Sequence, residues 1–597
     1  MSRWCAFLTE DDPAAHVRAV GAEPITAGPI TAGPITAGSI TAGSITAAGP
    51  HGFGLLDGPG VAAGPFTAGA LTAVGEVTLF NADRLRARLG ADAPPPGRPD
   101  GEVLLHSYAR FGLDGIAAAE GMFALAVADG PDLVLLRDQL GARTLFHARA
   151  RAGWAASTSL RALRRWPALR TGLHLPAVRS FLTFAYLPGR ETLLRDVHEV
   201  LPGRCLRLHP DGTSTEHTYW EPREHIDERP ASEHALRLRA LLEDAVTRRL
   251  PAGEPVGVLL SGGIDSSLVT ALAAKLHDQA VHTYSISFGA DAPDELGYSG
   301  LVATHCHTRH RVLTVPGQTV AARLADTVGL LDSPVGDPLT VPNLMLAEAV
   351  AADGIRVALN GEGGDPVFGG PKNLPMLIFE LTRDDPAEDA RAHAYLDSYR
   401  KCYADLPALL TRDALAALAD APGPVEHVAP YLRPGAMTSL LNQLLHTNLR
   451  TKGAHHILTK VERLTAASGI EGRAPLFDRA VVDHAFAVPP TMKLAGTSEK
   501  WILKQAVRDL LPATIVDRPK SGMRVPVQQW LDGPLRELAH DLLLGRTARE
   551  RGLFRADTIR AWLRGEGALL PRQGGKLWLV LSLQLWLRSF DLEESVR

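Results

Sequence analysis

Two short stretches carry the residue types from which a phosphate site is built. In Val256-Gly-Val-Leu-Leu-Ser-Gly-Gly-Ile-Asp-Ser-Ser267 an apolar run breaks into small polar residues. A strand, a small-residue loop and a helix in that order bring free backbone N–H groups and the positive end of a helix dipole to one point, which is an anion site. Gly262 and Gly263 permit close approach of the backbone, Ser261, Ser266 and Ser267 offer hydroxyl donors, and Asp265 offers a carboxylate to a metal. No Gly-Lys-Ser/Thr follows, so the loop is not a Walker A sequence; a plain turn is the competing reading. The second stretch, Asn360-Gly-Glu-Gly-Gly-Asp365, leaves a later strand. Ligands of open parallel sheets bind at the carboxyl ends of strands, so Asp265 and Asp365 are placed to share one Mg2+ between phosphates. Two solvated acidic turns are the alternative.

The elements that must hold these loops follow from periodicity. Leu236, Leu238, Leu241, Leu242, Val246 and Leu250 predict a helix over 232–250, stopped by Pro251. Beyond it the pattern alternates: a strand over 256–260, a helix through Lys275, a strand over 281–288, a helix over 344–352 and a strand over 355–359. Such alternation predicts a parallel sheet with helices on its faces. From about Arg450 onward the apolar spacing is mostly helical, and the Trp-rich run 577–586 reads as core. Earlier in the chain, runs such as 121–128 and 133–136 between turn signals predict a sheet-rich first domain, and 171–230 reads as a bridge. Residues 24–49 repeat Ile-Thr-Ala-Gly with Pro or Ser at the joints. One apolar residue per repeat hardly offsets ordering entropy, so this tract is expected to be a disordered or loosely laid surface insertion rather than a β-solenoid turn.

Taken together the motifs resemble those of the asparagine synthetase family. Ser-Gly-Gly-Ile-Asp-Ser-Ser at 261 resembles its pyrophosphate loop, and Gly-Glu-Gly-Gly-Asp-Pro-Val-Phe-Gly-Gly at 361 its second signature. Asp294-Glu295 with Tyr298, Glu471-Gly-Arg-Ala-Pro-Leu-Phe-Asp478, Lys500-Trp501, and Arg518-Pro-Lys-Ser-Gly522 with Val525-Pro526 and Trp530 follow in order, so the resemblance covers about 101–590. It implies an α/β chain of two parts. The first, 1–170, is an Ntn-hydrolase-like αββα sandwich interrupted by the repeat tract; the second, 231–597, is a doubly wound parallel-sheet synthetase domain, adenine-nucleotide alpha hydrolase-like, with a helical C-terminal part.

The chemistry implied is ligation: ATP and a carboxylate give an acyl-adenylate and pyrophosphate, and a nitrogen nucleophile displaces AMP. Carried over residue by residue, Ser261, Gly262, Gly263, Asp265 and Ser266 hold the pyrophosphate together with Gly361, Asp265 and Asp365 bind Mg2+, and the backbone around Ser287 meets adenine. Lys520 neutralises charge on the phosphates and the collapsing intermediate. Glu362 stands beside the attacking nitrogen and accepts its proton. A surface lysine and a structural carboxylate are the bland readings of the last two.

Glutamine-dependent members of the family begin Met-Cys-Gly, whereas the second residue here is Ser2. The family's His-Arg-Arg-Leu segment is missing, and Val74-Gly-Glu-Val-Thr-Leu-Phe-Asn81 lacks the asparagine that donates to the oxyanion. Gly121-Met-Phe-Ala-Leu-Ala, Arg137-Asp138 and Leu140-Gly141 resemble the rest of that domain, so a degenerate glutaminase is expected, with the amine coming from the substrate. Two kinds of relative have this form, β-lactam synthetases and lasso peptide macrolactam synthetases; the insert 332–343 and the overall length resemble the latter. The expected substrate is therefore a precursor peptide, with a leader-binding protein and a leader peptidase as partners. An asparagine synthetase using free ammonia and a non-catalytic scaffold are the remaining alternatives. A well-oriented intramolecular amine has an effective concentration of up to ~10⁵ M, so no ammonia channel is needed. A cavity wider than that of asparagine synthetase is expected, with 337–343 and 366–375 on its rim.

Bulk properties exclude several classes. With 62 basic and 66 acidic residues and no dense Lys/Arg block, a nucleic-acid footprint is not indicated. Four dispersed cysteines suit a reducing compartment, and the lack of a secretory or membrane-spanning segment predicts a cytoplasmic protein. His305, Cys306, His307 and His310 have no standard zinc spacing; His455 and His456 read either as peptide contacts or as surface histidines.

Overall fold

The computed structural model describes residues 3–9, 13–21, 42–48, 51–56, 64–289, 295–370, 373–382, 389–399, 401–520, 522–566 and 573–592. They divide into two units, Met1–His174 with Gly189–Glu221, and Leu175–Pro188 with Pro222–Arg597. Residues 171–230 thus contribute to both.

The first unit is built from β1 (Arg3–Thr9), β2 (Ala42–Ala48), β3 (His51–Leu56), β4 (Phe66–Ala68), β5 (Leu71–Leu79), β6 (Gly121–Asp129), β7 (Asp132–Arg137), β8 (Phe146–Ala150), β9 (Gly153–Ser157), β10 (Val197–Glu199), β11 (Arg204–Leu208) and β12 (Ser214–Thr218). They form two antiparallel sheets, ordered β10-β8-β9-β1-β3-β2 and β12-β11-β7-β6-β5-β4. Strand alternation decides which side chains meet. Trp4, Ala6 and Leu8 of β1 face Ala124, Ala126 and Ala128 of β6 in the core between the sheets. Phe123, Leu125 and Val127 point the other way, onto Leu85 and Leu89 of helix α2 (Ala82–Leu89) and Val103 to Leu105 of α3 (Asp100–Phe111). On the outer face of the first sheet Phe7 meets His16 of α1 (Pro13–Gly21) and Trp166 at centroid distances of 5.8 and 5.6 Å. The result is the expected αββα sandwich. Its β2 corrects one expectation: the end of the Ile-Thr-Ala-Gly tract is a strand paired with β3, where ladder hydrogen bonds supply what the side chains lack. Residues 24–41 and 49 of the tract lie outside the described residues, as does Ser2.

The second unit opens with α4 (Ala231–Thr247) and continues through β13 (Val256–Leu259), α5 (Ile264–Leu276), β14 (Val281–Ser287), α6 (Leu296–His305), β15 (Arg309–Thr314), α7 (Gly317–Leu330), α8 (Thr340–Ala352), β16 (Val357–Asn360), the short α9 (Gly364–Phe368) and, much later, β17 (Glu471–Arg473). All five strands are parallel, in the order β15-β14-β13-β16-β17. The chain moves outward from β13 to β14 and β15, then crosses back to place β16 on the other side of β13. The strand order therefore reverses between β13 and β16, and the crevice above such a reversal is where doubly wound sheets bind ligands.

Val256, Gly257 and Val258 are all buried, as a strand covered on both faces requires. The edge strand β15 is unlike them: Arg309, Arg311, Val312 and Thr314 are exposed. A long helical stretch then runs without a break through α10 (Leu440–Asn448), a π-helical segment Leu449–Ile457 and α11 (Leu458–Ala467). It is followed by α12 (Trp501–Ala506) and α13 (Gln573–Ser589), whose residues from Leu577 to Leu587 are core, as their spacing predicted. No described helix is long and apolar enough to cross a membrane.

Candidate active site

The loop after β13 is shaped by its own hydroxyls. Ser261 donates its backbone N–H to Ser266 Oγ at 3.1 Å, the two hydroxyls lie 3.0 Å apart, and Gly263 N–H points to Ser261 Oγ at 3.4 Å. Gly262 has φ +78°, and a side chain there would strike Tyr298 and the backbone of Ser299, so this turn requires glycine. The second loop packs directly on the first. A Cβ at Gly361 would overlap Ser266 N, and one at Gly364 would overlap the Asp265 carboxylate. Small residues in both loops are thus what lets Asp265, in the first turn of α5, face Asp365, in α9.

Charge decides what that juxtaposition can hold. Lys500 Nζ lies 2.5 Å from Asp265 Oδ2 and 2.6 Å from Asp365 Oδ1, and Lys520 Nζ lies 3.7 and 3.6 Å from the same atoms. Burial alone would push the Lys500 ammonium down, but the two carboxylates hold it above the usual lysine range. Burial would likewise push Asp365 up; Lys500, Lys520 and Lys452 together hold it well below the usual carboxylate range. Asp265 Oδ1 is buried with no hydrogen-bond partner, and such an atom calls for a ligand. Two hard carboxylates, one with an uncommitted oxygen beside an anion-binding helix end, fit Mg2+, which takes one or two carboxylates and completes its shell with phosphate and water.

Lys520 reaches the pair from a braced loop. Its backbone N–H donates to Glu499 Oε1 at 2.8 Å. The neighbouring Arg518 lies over the Tyr298 ring at 3.7 Å, pairs with Glu295 and donates to the Gly262 carbonyl at 3.3 Å. The motif residues Glu295, Tyr298 and Arg518 are therefore one bracket around the first loop. Asp294 lies outside the described residues.

A cavity of about 330 Å³ opens over the carboxyl ends of β13, β14 and β16. Of the residues singled out from sequence, Ser261, Gly263, Asp265, Ser266, Gly361, Glu362, Asp365 and Lys520 line it. Gly262 and Ser287 are not among its lining. The Ser287 carbonyl accepts from Val315 N–H and its hydroxyl from Gly289 N–H, so Ser285 and Ile286 form that wall instead. Asp337, Leu339, Asn343 and Pro366 belong to the lining, from the two segments expected on its rim.

The far wall comes from the long helix. Lys452, His456, Lys460 and Leu464 recur every four residues, lie on one helical face and all line the cavity. Lys460 Nζ is 2.5 Å from Asp337 Oδ2, and His456 Nε2 is 3.8 Å from the same oxygen. His456 stacks on Tyr186, with centroids 5.5 Å apart and planes at 18°, and Tyr186 donates to Thr451 Oγ1 at 3.1 Å. His455 is only 2 % exposed, so the surface reading of this pair is overturned. Sequence reasoning gave no role to Lys500, Lys452, Lys460 or Tyr186. The four-residue recurrence of Lys452, His456 and Lys460 was the available signal. Farther away, His305 and His310 are engaged with the Leu510 carbonyl and Thr283.

A parallel sheet with an anion loop, paired carboxylates and two lysines at its point of reversal defines a nucleotide-dependent ligase site. Residues 237–588 match the asparagine synthase family model and residues 31–220 match the glutamine amidotransferase domain model; the chain belongs to the asparagine synthase family and is an ATP-dependent amide ligase of that type. A putative asparagine synthetase (glutamine-hydrolyzing) of Mycobacterium tuberculosis is 28 % identical over 548 residues, covering 86 % of this chain and 83 % of that one. Asparagine synthetase (glutamine-hydrolyzing) 1 of Bacillus subtilis is 23 % identical over 525 residues, covering 83 % and 81 %. Carboxyethyl-arginine beta-lactam-synthase of Streptomyces clavuligerus is 29 % identical over 453 residues, covering 74 % and 72 %.

Proposed function

We propose that this ligase is a lasso peptide macrolactam synthetase. It transfers AMP from ATP to an Asp or Glu side chain of a precursor peptide, releasing pyrophosphate, and then joins the acyl carbon to the peptide's N-terminal amine, releasing AMP. The observation that carries the reading is a contrast between the two units. The synthetase cavity keeps charged groups at both ends, whereas the amidotransferase unit has other residues where the family carries the cysteine and asparagine used to release ammonia. Val74, where the family carries the oxyanion asparagine, is packed in the core between the sheets. Asn81 is held by its own fold, donating to the Ala118 carbonyl at 3.0 Å and accepting from Glu120 N–H at 2.9 Å. Cys5 is fully buried in β1.

In this reading the Ser261–Ser266 loop receives the pyrophosphate, Asp265 and Asp365 hold Mg2+, and Lys520 steadies charge on the phosphates. The divalent ion supplies charge neutralisation between the phosphates. A leader-binding protein and a leader peptidase are the expected partners, and the free state of all four cysteines suits a cytoplasmic enzyme.

The likeness to the Streptomyces enzyme favours small-ring closure as the second reading. Three donors separate the possibilities: linear peptides with an N-terminal amine and an internal Asp or Glu, carboxyethyl-arginine, and aspartate with ammonia. ATP–pyrophosphate exchange reports adenylation, and loss of one water from the donor's mass reports ring closure. Exchange and water loss with a peptide are expected. Closure of carboxyethyl-arginine alone would move the assignment to the second reading, and asparagine formation alone to an ammonia-dependent synthetase.

A further inference from the structure

His456 is engaged by stacking but not by hydrogen bonding. Neither of its ring nitrogens has a hydrogen-bond partner, although the side chain is only 12 % exposed and lines the ligand cavity. Buried polar atoms in native folds are ordinarily paired, and unpaired ones at a cavity wall mark a group whose partner is a ligand. The ring cannot swing away freely, because Tyr186 covers one face and is itself tied to Thr451. It sits in a π-helical segment, a geometry that recurs at functional sites.

Several charges surround it. Asp337 Oδ2 lies 3.8 Å from Nε2, and Lys460, one turn later on the same helix, reaches that same oxygen at 2.5 Å; Lys452 lies one turn earlier, and the charge of Lys401 acts from outside the helix. Lys460 also acts on Glu362. The imidazole, by contrast with the Lys460 ammonium that is paired with Asp337, has no hydrogen-bond partner of its own.

We propose that His456 is the catalytic base of the ring-closing step, taking the proton from the attacking amine while Asp337 steadies the resulting imidazolium. The proposal rests on the ligase reading above and specifies which group of that site handles the nitrogen. The amine lone pair forms the C–N bond to the acyl carbon of the adenylate. The bond from that carbon to the AMP oxygen breaks, its electron pair leaving with AMP, and the N–H proton passes to the free ring nitrogen and from there to solvent. Burial holds the imidazole well below its ordinary range, with Lys460 adding to the effect and Asp337 opposing it, so the ring is neutral near pH 7 with one nitrogen lone pair open.

The experiment separates the two half-reactions. With the donor that supports exchange in the unaltered protein, His456→Gln and His456→Phe are compared with it; the phenyl ring keeps the stack on Tyr186 but has no nitrogen. Adenylation is read by ATP–pyrophosphate exchange and by trapping the adenylate with hydroxylamine, which attacks as its free base. Expected are exchange and hydroxamate formation at nearly the original rate, ring closure slower by ~10²-fold or more, loss of the acid limb of the closure rate, and partial rescue by added imidazole. Asp337→Asn should slow closure less and shift that limb. Closure by His456→Gln at the original rate, or closure and exchange falling together, would overturn the assignment of His456 and leave the ligase reading standing. Absence of exchange with every donor in the unaltered protein would remove the ligase reading and this assignment with it.

Discussion

One motif in each unit shows buried polar groups used in opposite ways. In the amidotransferase-like unit, Asp138 accepts from the backbone N–H groups of Phe123, Leu140, Gly141, Ala142 and Arg143, and Arg137 donates to the carbonyls of Arg143, Gly141 and Val200. These are groups with a structural task and no capacity left over. In the synthetase unit, Asp265 Oδ1 and the His456 ring nitrogens are buried without hydrogen-bond partners, and two lysines crowd a carboxylate pair. Satisfied polar groups rigidify a fold, whereas an unsatisfied one on the wall of a cavity is placed to meet a ligand. The difference teaches that a motif is read by what it touches: Arg137-Asp138 holds backbone groups of its own unit, while Asp265 and Asp365 face each other across two lysines at a cavity.

Exchanging the two kinds of residue tests the contrast. The largest effect is expected at Lys520, which is partly exposed and carries little of the packing: Lys520→Met should lower ATP–pyrophosphate exchange by ~10²–10³-fold with an unchanged urea midpoint. An altered midpoint with normal exchange would reverse its place in the comparison. Asp138→Ala should do the opposite. It strands several buried donors and should cost about 3–5 kcal/mol of stability, measured by urea unfolding, while the surviving folded protein exchanges normally.

A smaller effect is built into both units as a response to acid. Burial pushes His147 in the first unit down to about 3, with His198 and Arg190 adding to it, and pushes His446 in the second down to about 3, with Arg450 adding to it. Because each folded value lies below the unfolded one, the unfolded chain takes up the proton first as pH falls. Stability is therefore complete above about pH 6.5 and declines from there toward pH 3, by about 1.4 kcal/mol per pH unit for each group. His147→Phe and His446→Phe should each flatten the slope of unfolding free energy against pH for its own unit, read by calorimetry between pH 6.5 and 4. A slope unaltered in both would show that these rings take up protons in the folded state. The smallest signal is expected from glutamine. Glutamate release should stay at the buffer background, and measurable release would show that the first unit keeps a chemical task after all.

Much of the architecture was legible because strands buried on both faces read as uninterrupted apolar runs. β13 and β16 were located within a residue or two for that reason, and β14 was placed as closely although His282, Thr283 and Ser285 interrupt its apolar residues. β15 was absent from the strands read in the sequence, since an edge strand shows Arg309 and Arg311 to solvent and has no apolar face to advertise. β17 is three residues long and is specified by its neighbour rather than by its own composition. At the site, glycines and acids within one loop were readable. Lys500 was noticed only as part of a motif, because nothing local distinguishes it from Lys520, twenty residues later; the nearer of the two to Asp265 emerges only in three dimensions.

Residue order by itself determined the strand-loop-helix units, the glycines that let two loops touch, and the acids those loops carry, because each depends on backbone conformation within a few neighbours. The tertiary structure alone decided that Lys500 lies between Asp265 and Asp365, that Ser285 and Ile286 rather than Ser287 form a cavity wall, and that His456 faces Asp337 against Tyr186. Those relations join segments separated by up to several hundred residues, and only packing across the sheet and the long helix brings their charges close enough to interact.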